Sequence, residues 1–529
     1  MGILAKRQKQ AKKNAGELLR QIYERVDQKN DDPLSRVLID NIQMLDHMIE
    51  VKEKVCVNMA QTLYPDWAIP MVLQAIGEVY HGDHRNLSYL GPAMKRSVAF
   101  LWQNATVAHG VHKSLKNLVD LICECAIIQA MYGARMMFVA IPGFHIAYHC
   151  GQLIVPPEYR HELIKYRMMI GAPGSRFRVA EDNNRLTLEH PDEFRSALER
   201  VLSGCPPHEI DIFKGTFYEK IPGVKHHDCA LFWKEVYFRF FSLRFAMMNA
   251  KEWHDVILFH EFAVPLPAAF FAQHIVENSF WSNKLKDEEH KENERWFSKQ
   301  EPERYDNLLV DRPIVRISHT GDFATSPALI GDSMNEYIEK QLMGYHSRHP
   351  YLKLPDSIFR DAFSEKFEDD CIQLFRDNGY LAGHILESGV WKHQYENENL
   401  RLSDEQLYGE VDVFAYNPKT HKAFLVECKV LLDLMDSRLY KNILSKLRDD
   451  SEGFRMKLRK KAEWISKAFA HHKGIALELE KVIVTDIPIP IMDEKETDIP
   501  VLDYDSLKYG VNPYDVSALV EQIEQIEII

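Results

Sequence analysis

The chain has 529 residues, with 65 Lys+Arg against 78 Asp+Glu and a net charge of −13. Hydrophobic residues make up 46% and aromatic residues 11%, which excludes a mainly disordered chain because such a composition needs a core in which to bury its apolar side chains. The length predicts more than one domain, and the negative charge confines any binding of nucleic acid to local basic patches.

Cysteine usage and the lack of targeting signals predict a cytoplasmic protein. The eight cysteines include no CxxC pair, which disfavours a disulfide scaffold or a zinc ribbon and is typical of a reducing compartment. Residues 1–20 are basic but contain no apolar segment, unlike a signal peptide. The longest apolar stretches, 118–138 and 262–276, contain charges or prolines, so we expect no contact with a membrane.

Residues 1–62 are predicted to form a helical hairpin. Apolar residues recur at helical spacing in two stretches, 18–26 and 34–49, with a turn between them. Eight Lys/Arg against three acidic residues give residues 1–30 a net charge of +5. Two interpretations stay open: an arm that contacts nucleic acid, or a solvated helix face beside an apolar seam through which the protein forms homo-oligomers.

Residues 63–350 predict a large, mainly helical region, with an α+β arrangement as the alternative, which we interpret as a sensing or regulatory part. Helical stretches near 95–140 and 230–262 are rich in aromatic residues and methionine. The densely charged segment 284–305 indicates a solvated helix or a linker. The sequence contains no GxxxxGK[ST] loop, so an ATP-driven motor is disfavoured.

From residue 351 onwards the pattern is that of an α/β domain, predicted to span 351–529. The predicted elements are, in chain order, a helix ending at Asn378-Gly379, strands near 385–391, at 411–416 and at 423–430, a basic helix at 452–472 and a strand at 481–487. Turn residues at 417–420 make the second and third strands a hairpin. The order αβββαβ fits one compact domain.

Three charged residues interrupt the strands of this hairpin. Asp412 lies within one apolar strand, and Glu427 and Lys429 lie at the end of the other, on one face because side chains alternate along a strand. Buried charges are costly unless they pair or bind a metal, and carboxylates converging from adjacent strands suit a hard divalent cation such as Mg²⁺. The structural alternative is an ion pair of Asp412 with Lys429, with Glu427 as a charge at the sheet edge.

This stretch resembles the PD-(D/E)xK nuclease superfamily, which has a restriction-endonuclease-like fold with an αβββαβ core. In that family the second strand carries an Asp and the third strand an acid-x-Lys motif. Asp412 matches the first, and Glu427 with Lys429 matches the second, although Val411 stands where the family name has Pro. The resemblance covers about 355–490 and implies an α/β fold for this part of the chain alone.

The family often has a further acid on the first helix. The resemblance is nearest to type IV restriction and related nuclease domains, in which a Phe-Glu helix ends in Gly-Tyr. Here Phe-Glu stands at 367–368 and Gly-Tyr at 379–380, so Glu368 is the matching acid. Glu365 and Asp369 lie within a turn of it, and each of the three acids could instead face solvent.

The resemblance also implies the role of each matched residue. Asp412 and Glu427 would bind Mg²⁺, for which Mn²⁺ substitutes, with the backbone carbonyl of Cys428 as a further ligand. Lys429 would position the attacking water and stabilise the charged phosphate. Glu368 would orient the site or assist a second metal. No other cofactor is expected.

A basic helix provides the expected nucleic-acid contact. Residues 441–473 contain ten Lys/Arg and four acidic residues, a net charge of +6. Arg455, Arg459 and Lys460 are predicted to lie on one helical face, where their charges would meet phosphates. The alternative is a solvated helix face with no ligand.

Together these features predict a Mg²⁺-dependent endodeoxyribonuclease of bacterial restriction or antiphage defence, with RNA left open as a substrate. The first alternative is a catalytically silent nuclease fold that binds DNA or serves as a scaffold. The second is an enzyme site in the N-terminal region, for which the His-Asp pairs at 227–228 and 254–255 and the set His145, His149 and Cys150 were weighed. At each of these positions an ordinary buried or surface histidine is the simpler interpretation.

Overall fold

The computed structural model describes residues 2–26, 37–81, 90–104, 112–149, 152–159, 162, 165, 176–225, 229–260, 313–317, 322–342, 363–402, 406–431, 437–448, 451–491 and 498–511. The chain divides into two compact units: the first comprises 1–138, 143–156 and 178–354, and the second 139–142, 157–177 and 355–529. The predicted parts 1–62 and 63–350 thus lie in one unit. The charged segment 284–305 lies outside the described residues.

The first unit is mainly helical. Its helices are α1 (Gly2–Val26), α2 (Ile42–Gln61), α3 (Pro65–His81), α4 (Leu90–Asn104), α5 (Leu115–Ala140), α6 (Arg176–Asn184), α7 (Pro191–Leu202), α8 (Cys229–Asn249) and α9 (Pro327–Leu342). Its strands are β1 (Val37–Ile39), β2 (Ile146–His149), β3 (Gln152–Ile154), β4 (Ile257–His260), β5 (Val315–Arg316) and β6 (Asp322–Thr325). They form two small sheets with the orders β1-β2-β3 and β4-β6-β5.

Helix α1 packs against α3 within this unit. Its apolar stripe is buried there, and it consists of Ala11, Ala15, Leu18, Leu19 and Ile22. Two of its cations also have partners in the unit, since Arg7 pairs with Asp66 and Asp322, and Lys12 with Asp255. The apolar stripe that motivated the predicted homo-oligomer is therefore covered by the same chain, and oligomerisation stays a prediction without this support.

The predicted second helix over 34–49 is wrong at its start. Val37–Ile39 is a strand that pairs with β2, and α2 begins only at Ile42. Asn41 caps the helix, because its side chain accepts a hydrogen bond from the Met44 N–H at 2.9 Å. A polar cap and strand pairing therefore override the helical spacing of the apolar residues before it.

Helix α5 is the one helix among the described residues that is long and apolar enough to cross a membrane, and more than half of its apolar stretch is buried in the protein. Two of its charges have partners. Glu124 pairs with Lys52 at 2.7 Å, and Arg135 with Asp46 at 2.9 Å. These contacts are typical of a core helix, which is often apolar enough to pass the same test.

The second unit contains one sheet of seven strands in the order β13-β12-β11-β10-β7-β8-β9. Its helices are α10 (Glu365–Asp377), α11 (Ser437–Arg448), α12 (Phe454–Lys473) and α13 (Tyr504–Val511). Its strands are β7 (Leu381–Ile385), β8 (Val390–His393), β9 (Asn397–Asn399), β10 (Val411–Tyr416), β11 (Lys422–Lys429), β12 (Glu478–Thr485) and β13 (Val501–Asp503). Strand β10 is antiparallel to β7 and β11, whereas β12 is parallel to β11.

Helices cover both faces of this sheet. On one face, α10 packs its apolar side chains, among them Phe367, Cys371 and Phe375, against residues of β7, β10, β11 and β12. On the other face, Phe469 of α12 contacts the rings of Phe414 and Tyr416. Residues of β10 and β11 therefore alternate between a core under α10 and a core under α12.

The predicted hairpin strands are confirmed, since β10 has the predicted bounds and β11 is shifted by one residue. Asn417 forms the turn between them, because its side chain accepts hydrogen bonds from the backbone N–H groups of Lys419 and Thr420. Gly379 has φ +82, which explains the glycine that ends α10. The predicted strand at 385–391 is wrong: two strands, β7 and β8, flank a turn there.

Candidate active site

Asp412 lies at an irregularity of β10. The pairing of β10 with β7 changes register between Val411 and Phe414, with one extra residue on β10. Such a bulge bends a strand and re-aims its side chains, and bulges are common beside active sites. The Asp412 side chain is mostly but not fully buried, with 17% of its surface exposed.

The two strand carboxylates lie opposite one another. The pairing of β10 with β11 ends at Val413 and Val426, and the next positions along the two antiparallel strands are Asp412 and Glu427. Beyond this point Asp412 Oδ2 accepts a hydrogen bond from the backbone N–H of Cys428 at 2.8 Å. Like charges at opposed positions destabilise a sheet, so this pair needs compensating cations.

Lys429 provides one of these cations. Its Nζ lies 2.8 Å from Glu427 Oε1 and 3.6 Å from Asp412 Oδ2, and it donates a hydrogen bond to the Cys428 carbonyl oxygen at 2.9 Å. The side chain also lies against the ring of Phe454, with Nζ 5.0 Å from the centroid. One ammonium thus contacts all three groups that the resemblance predicts as metal ligands.

Lys461 of α12 provides the second cation, and sequence reasoning did not assign it to the site. Its Nζ donates to Glu427 Oε2 at 2.8 Å, and the residue is 5% exposed. A signal was present in the sequence: Lys461 has helical spacing with the buried residues Leu458 and Ile465. A lysine on the apolar stripe of a helix indicates a buried anionic partner.

The pKa shifts follow from burial and from these contacts. Burial raises the pKa of Asp412, and the charge of Glu427 raises it further. Burial alone would raise the pKa of Glu427, but Lys429 and Lys461 outweigh it and lower that pKa. Burial alone would lower the pKa of Lys429, but Asp412 and Glu427 outweigh it and raise that pKa. Glu427 and Lys429 are therefore ionised together.

The ion-pair alternative is half correct. Lys429 does contact Asp412, but Glu427 is not a charge at the sheet edge. Strand β11 lies between β10 and β12, and Glu427 is 6% exposed. A carboxylate in the centre of a sheet, with both oxygens on ammonium groups, needs a reason beyond solubility.

Glu368 lies in the first turn of α10. Its Oε2 is 3.7 Å from Nδ1 of His384 on β7, and 22% of its side chain is exposed, against 73% for Asp369. Burial and the neighbouring Cys371 raise the pKa of the Cys428 thiol, and the charges of Asp412 and Glu368 raise it further. Glu368 is therefore in electrostatic range of Cys428, and the nearby His384 was not foreseen from the sequence.

The three predicted phosphate contacts are in different environments. Arg455 is 3% exposed. Arg459 binds Asp498 with two nitrogens, Nε at 3.2 Å and Nη2 at 2.7 Å from Oδ1. Lys460 is exposed, with its Nζ 4.7 Å from the ring centroid of Tyr408. The helix therefore does not present the three side chains as one equivalent solvated face.

A different cluster has the side chains that a metal could use. His393, Glu396 and Glu398 form a group of three among the described residues whose ligand atoms lie within 4.8 Å of one another. His393 Nε2 is 3.2 Å from Glu398 Oε1. Glu398 Oε2 already pairs with Lys473 at 2.5 Å, and His393 Nδ1 accepts the Tyr395 N–H, which leaves the proton on Nε2. Both contacts disfavour metal binding at this cluster.

The histidines weighed in the N-terminal region form no such group. His145 and His149 flank strand β2, where a spacing of four residues separates side chains widely. In the pair at 254–255, Asp255 binds Lys12. His226, His227, Asp228 and Cys150 lie outside the described residues.

Comparison of the chain with protein-family models, with curated proteins and with solved structures gave no match.

Proposed function

We propose that the second unit is a Mg²⁺-dependent nuclease that hydrolyses phosphodiester bonds of DNA. One observation carries this proposal: Asp412, Glu427 and the Cys428 carbonyl all direct oxygen atoms at a single cation, the Lys429 ammonium. Three hard oxygen donors around one positive charge are the donor set that Mg²⁺ prefers. The strand order around β10 and β11 and the nuclease-like motif add independent support.

The residues divide the work as follows. A bound Mg²⁺ would supply a polarised water and countercharge for the phosphate. Asp412 and Glu427, with the Cys428 carbonyl, would hold the ion. Lys429 carries a fixed positive charge beside them and would stabilise the negative charge that develops on the phosphate oxygens. Glu368, next to His384, would orient the site from α10.

Lys460 is the member of the basic set that we expect to contact DNA. It is exposed, whereas Arg459 is bound to Asp498 and Arg455 is buried. Lys460→Gln should weaken DNA binding and lower the slope of log affinity against log salt by about one. Fluorescence anisotropy over a salt series measures both, with the exposed Lys457→Gln as a matched control. An unchanged slope for Lys460→Gln would move the DNA path elsewhere.

A cleavage assay on the full chain tests the proposed function. Substrates should include double-stranded, single-stranded and modified DNA, and RNA, because the first unit could restrict the site to one of them. We expect Mg²⁺ or Mn²⁺ to support cleavage, EDTA to abolish it, and Ca²⁺ to support binding without cleavage. If folded protein cuts none of these substrates with either metal, the nuclease proposal fails.

The second candidate is a catalytically silent nuclease fold that acts as a DNA-binding scaffold. The tight contacts of Lys429 and Lys461 with Glu427 favour it to this extent: a buried charge network can be structural. DNA binding without cleavage in any metal would support this candidate. A role in bacterial restriction or antiphage defence rests on the resemblance alone, as does the cytoplasmic localisation on composition, and both stay predictions.

A further inference from the structure

Lys461 is the buried cation that the proposed mechanism does not use. It reaches Glu427 from α12, across the sheet face, whereas Lys429 comes from the same strand as Glu427. Glu427 therefore has one ammonium on each carboxylate oxygen: Lys429 on Oε1 and Lys461 on Oε2, both at 2.8 Å. Oε1 is the oxygen on the side of the proposed ligands, because Lys429 also contacts Asp412 and the Cys428 carbonyl.

The four ionisable side chains form a cluster without net charge. Asp412 and Glu427 contribute two formal negative charges, and Lys429 and Lys461 two positive charges. A divalent cation added to a neutral, mostly buried cluster leaves an excess positive charge in a region of low dielectric constant, which is unfavourable. A phosphate group with its own negative charge removes that excess.

We infer that Lys461 is a positioning residue that holds Glu427 by Oε2 and keeps the site neutral, so that a divalent metal binds tightly only together with the phosphate of the substrate. This inference rests on the proposed function, because it needs the metal site. It assigns to α12 a regulatory part in that site: the bare protein holds metal weakly, and the nucleic acid completes the charge balance.

Metal binding without substrate is the most direct readout. Mn²⁺ titrated into the full chain is followed by the electron paramagnetic resonance signal of the unbound ion. We expect weak binding by the wild type and at least ~10-fold tighter binding by Lys461→Met, which removes one positive charge close to the carboxylate. Lys461→Arg should behave like the wild type because it keeps the charge.

The second readout is the coupling between metal and DNA. With Ca²⁺ in place of Mg²⁺, the affinity of a short DNA duplex is measured by anisotropy at several Ca²⁺ concentrations. Ca²⁺ should tighten DNA binding by at least ~10-fold in the wild type and clearly less in Lys461→Met, since coupling between two ligands is reciprocal. Lys457→Met, an exposed charge one turn away on α12, should match the wild type in both titrations.

The outcomes separate the inference from the proposed function. If the wild type binds Mn²⁺ and Lys461→Met binds it no more tightly, the inference is overturned and the nuclease proposal stands. If neither the wild type nor any folded variant binds Mn²⁺, both are overturned. Lys461→Gln keeps a hydrogen bond to Glu427 and repeats the test should Lys461→Met fail to fold, with circular dichroism as the check on folding.

Discussion

Replacing Lys429 with Met should reduce DNA cleavage by at least ~100-fold, the scale of losing one group that stabilises charge in a transition state. The side chain is the only link on the page between Asp412, Glu427 and the Cys428 carbonyl. Its raised pKa keeps it cationic at neutral pH. We therefore expect kcat to fall and the affinity for DNA in Ca²⁺ to change much less.

Single-turnover cleavage and anisotropy measure the two quantities separately. Lys457→Met is the matched control, because it removes an exposed lysine from the same unit and should cleave like the wild type. Cleavage by Lys429→Met at the wild-type rate would contradict the role of this lysine. A parallel loss of folding, seen by circular dichroism, would show that its role is structural instead.

Glu427→Ala should destabilise the second unit by about 3–5 kcal/mol, the cost typical of removing one partner from a buried ion pair. The sequence alone suggested a small cost, on the argument that Asp412 and Glu427 repel each other. The structure reverses this expectation, because Glu427 compensates two ammonium groups and its loss leaves the buried Lys461 without this partner.

A double variant tests this explanation. Glu427→Gln with Lys461→Met removes both charges of the buried pair and should recover most of the stability lost in Glu427→Ala, since apolar replacements of whole ion pairs are often neutral. Thermal unfolding of the full chain, with the transition of the second unit followed, measures the effect. Equal melting of Glu427→Ala and the wild type would contradict the proposed charge balance.

The strands that carry the site could be predicted because their signals are local. A run of apolar residues bounded by turn residues predicts a strand, and the alternation within it predicts that Glu427 and Lys429 share a face. The turn at Asn417 and the glycine at 379, with φ +82, are equally local features. Each depends on residues within one or two turns of the chain.

The parts that could not be predicted depend on distant contacts. Lys461 contacts Glu427 across 34 positions of sequence, and only its place on an apolar stripe hinted at burial. The bulge at Asp412 reflects pairing with β7, which no residue near 412 encodes. The strand at Val37–Ile39 forms because β2 pairs with it, against the helical spacing of its own residues.

The measurement that tests the central claim most directly is an anomalous-scattering map of crystals soaked in Mn²⁺, with and without a DNA duplex. The nuclease proposal predicts a peak at coordination distance, about 2.0–2.2 Å, from oxygens of Asp412 and Glu427 and from the Cys428 carbonyl. The proposed charge balance predicts that this peak is strong only when DNA is present. A peak at His393, Glu396 and Glu398 instead, or none at either place, would contradict the account.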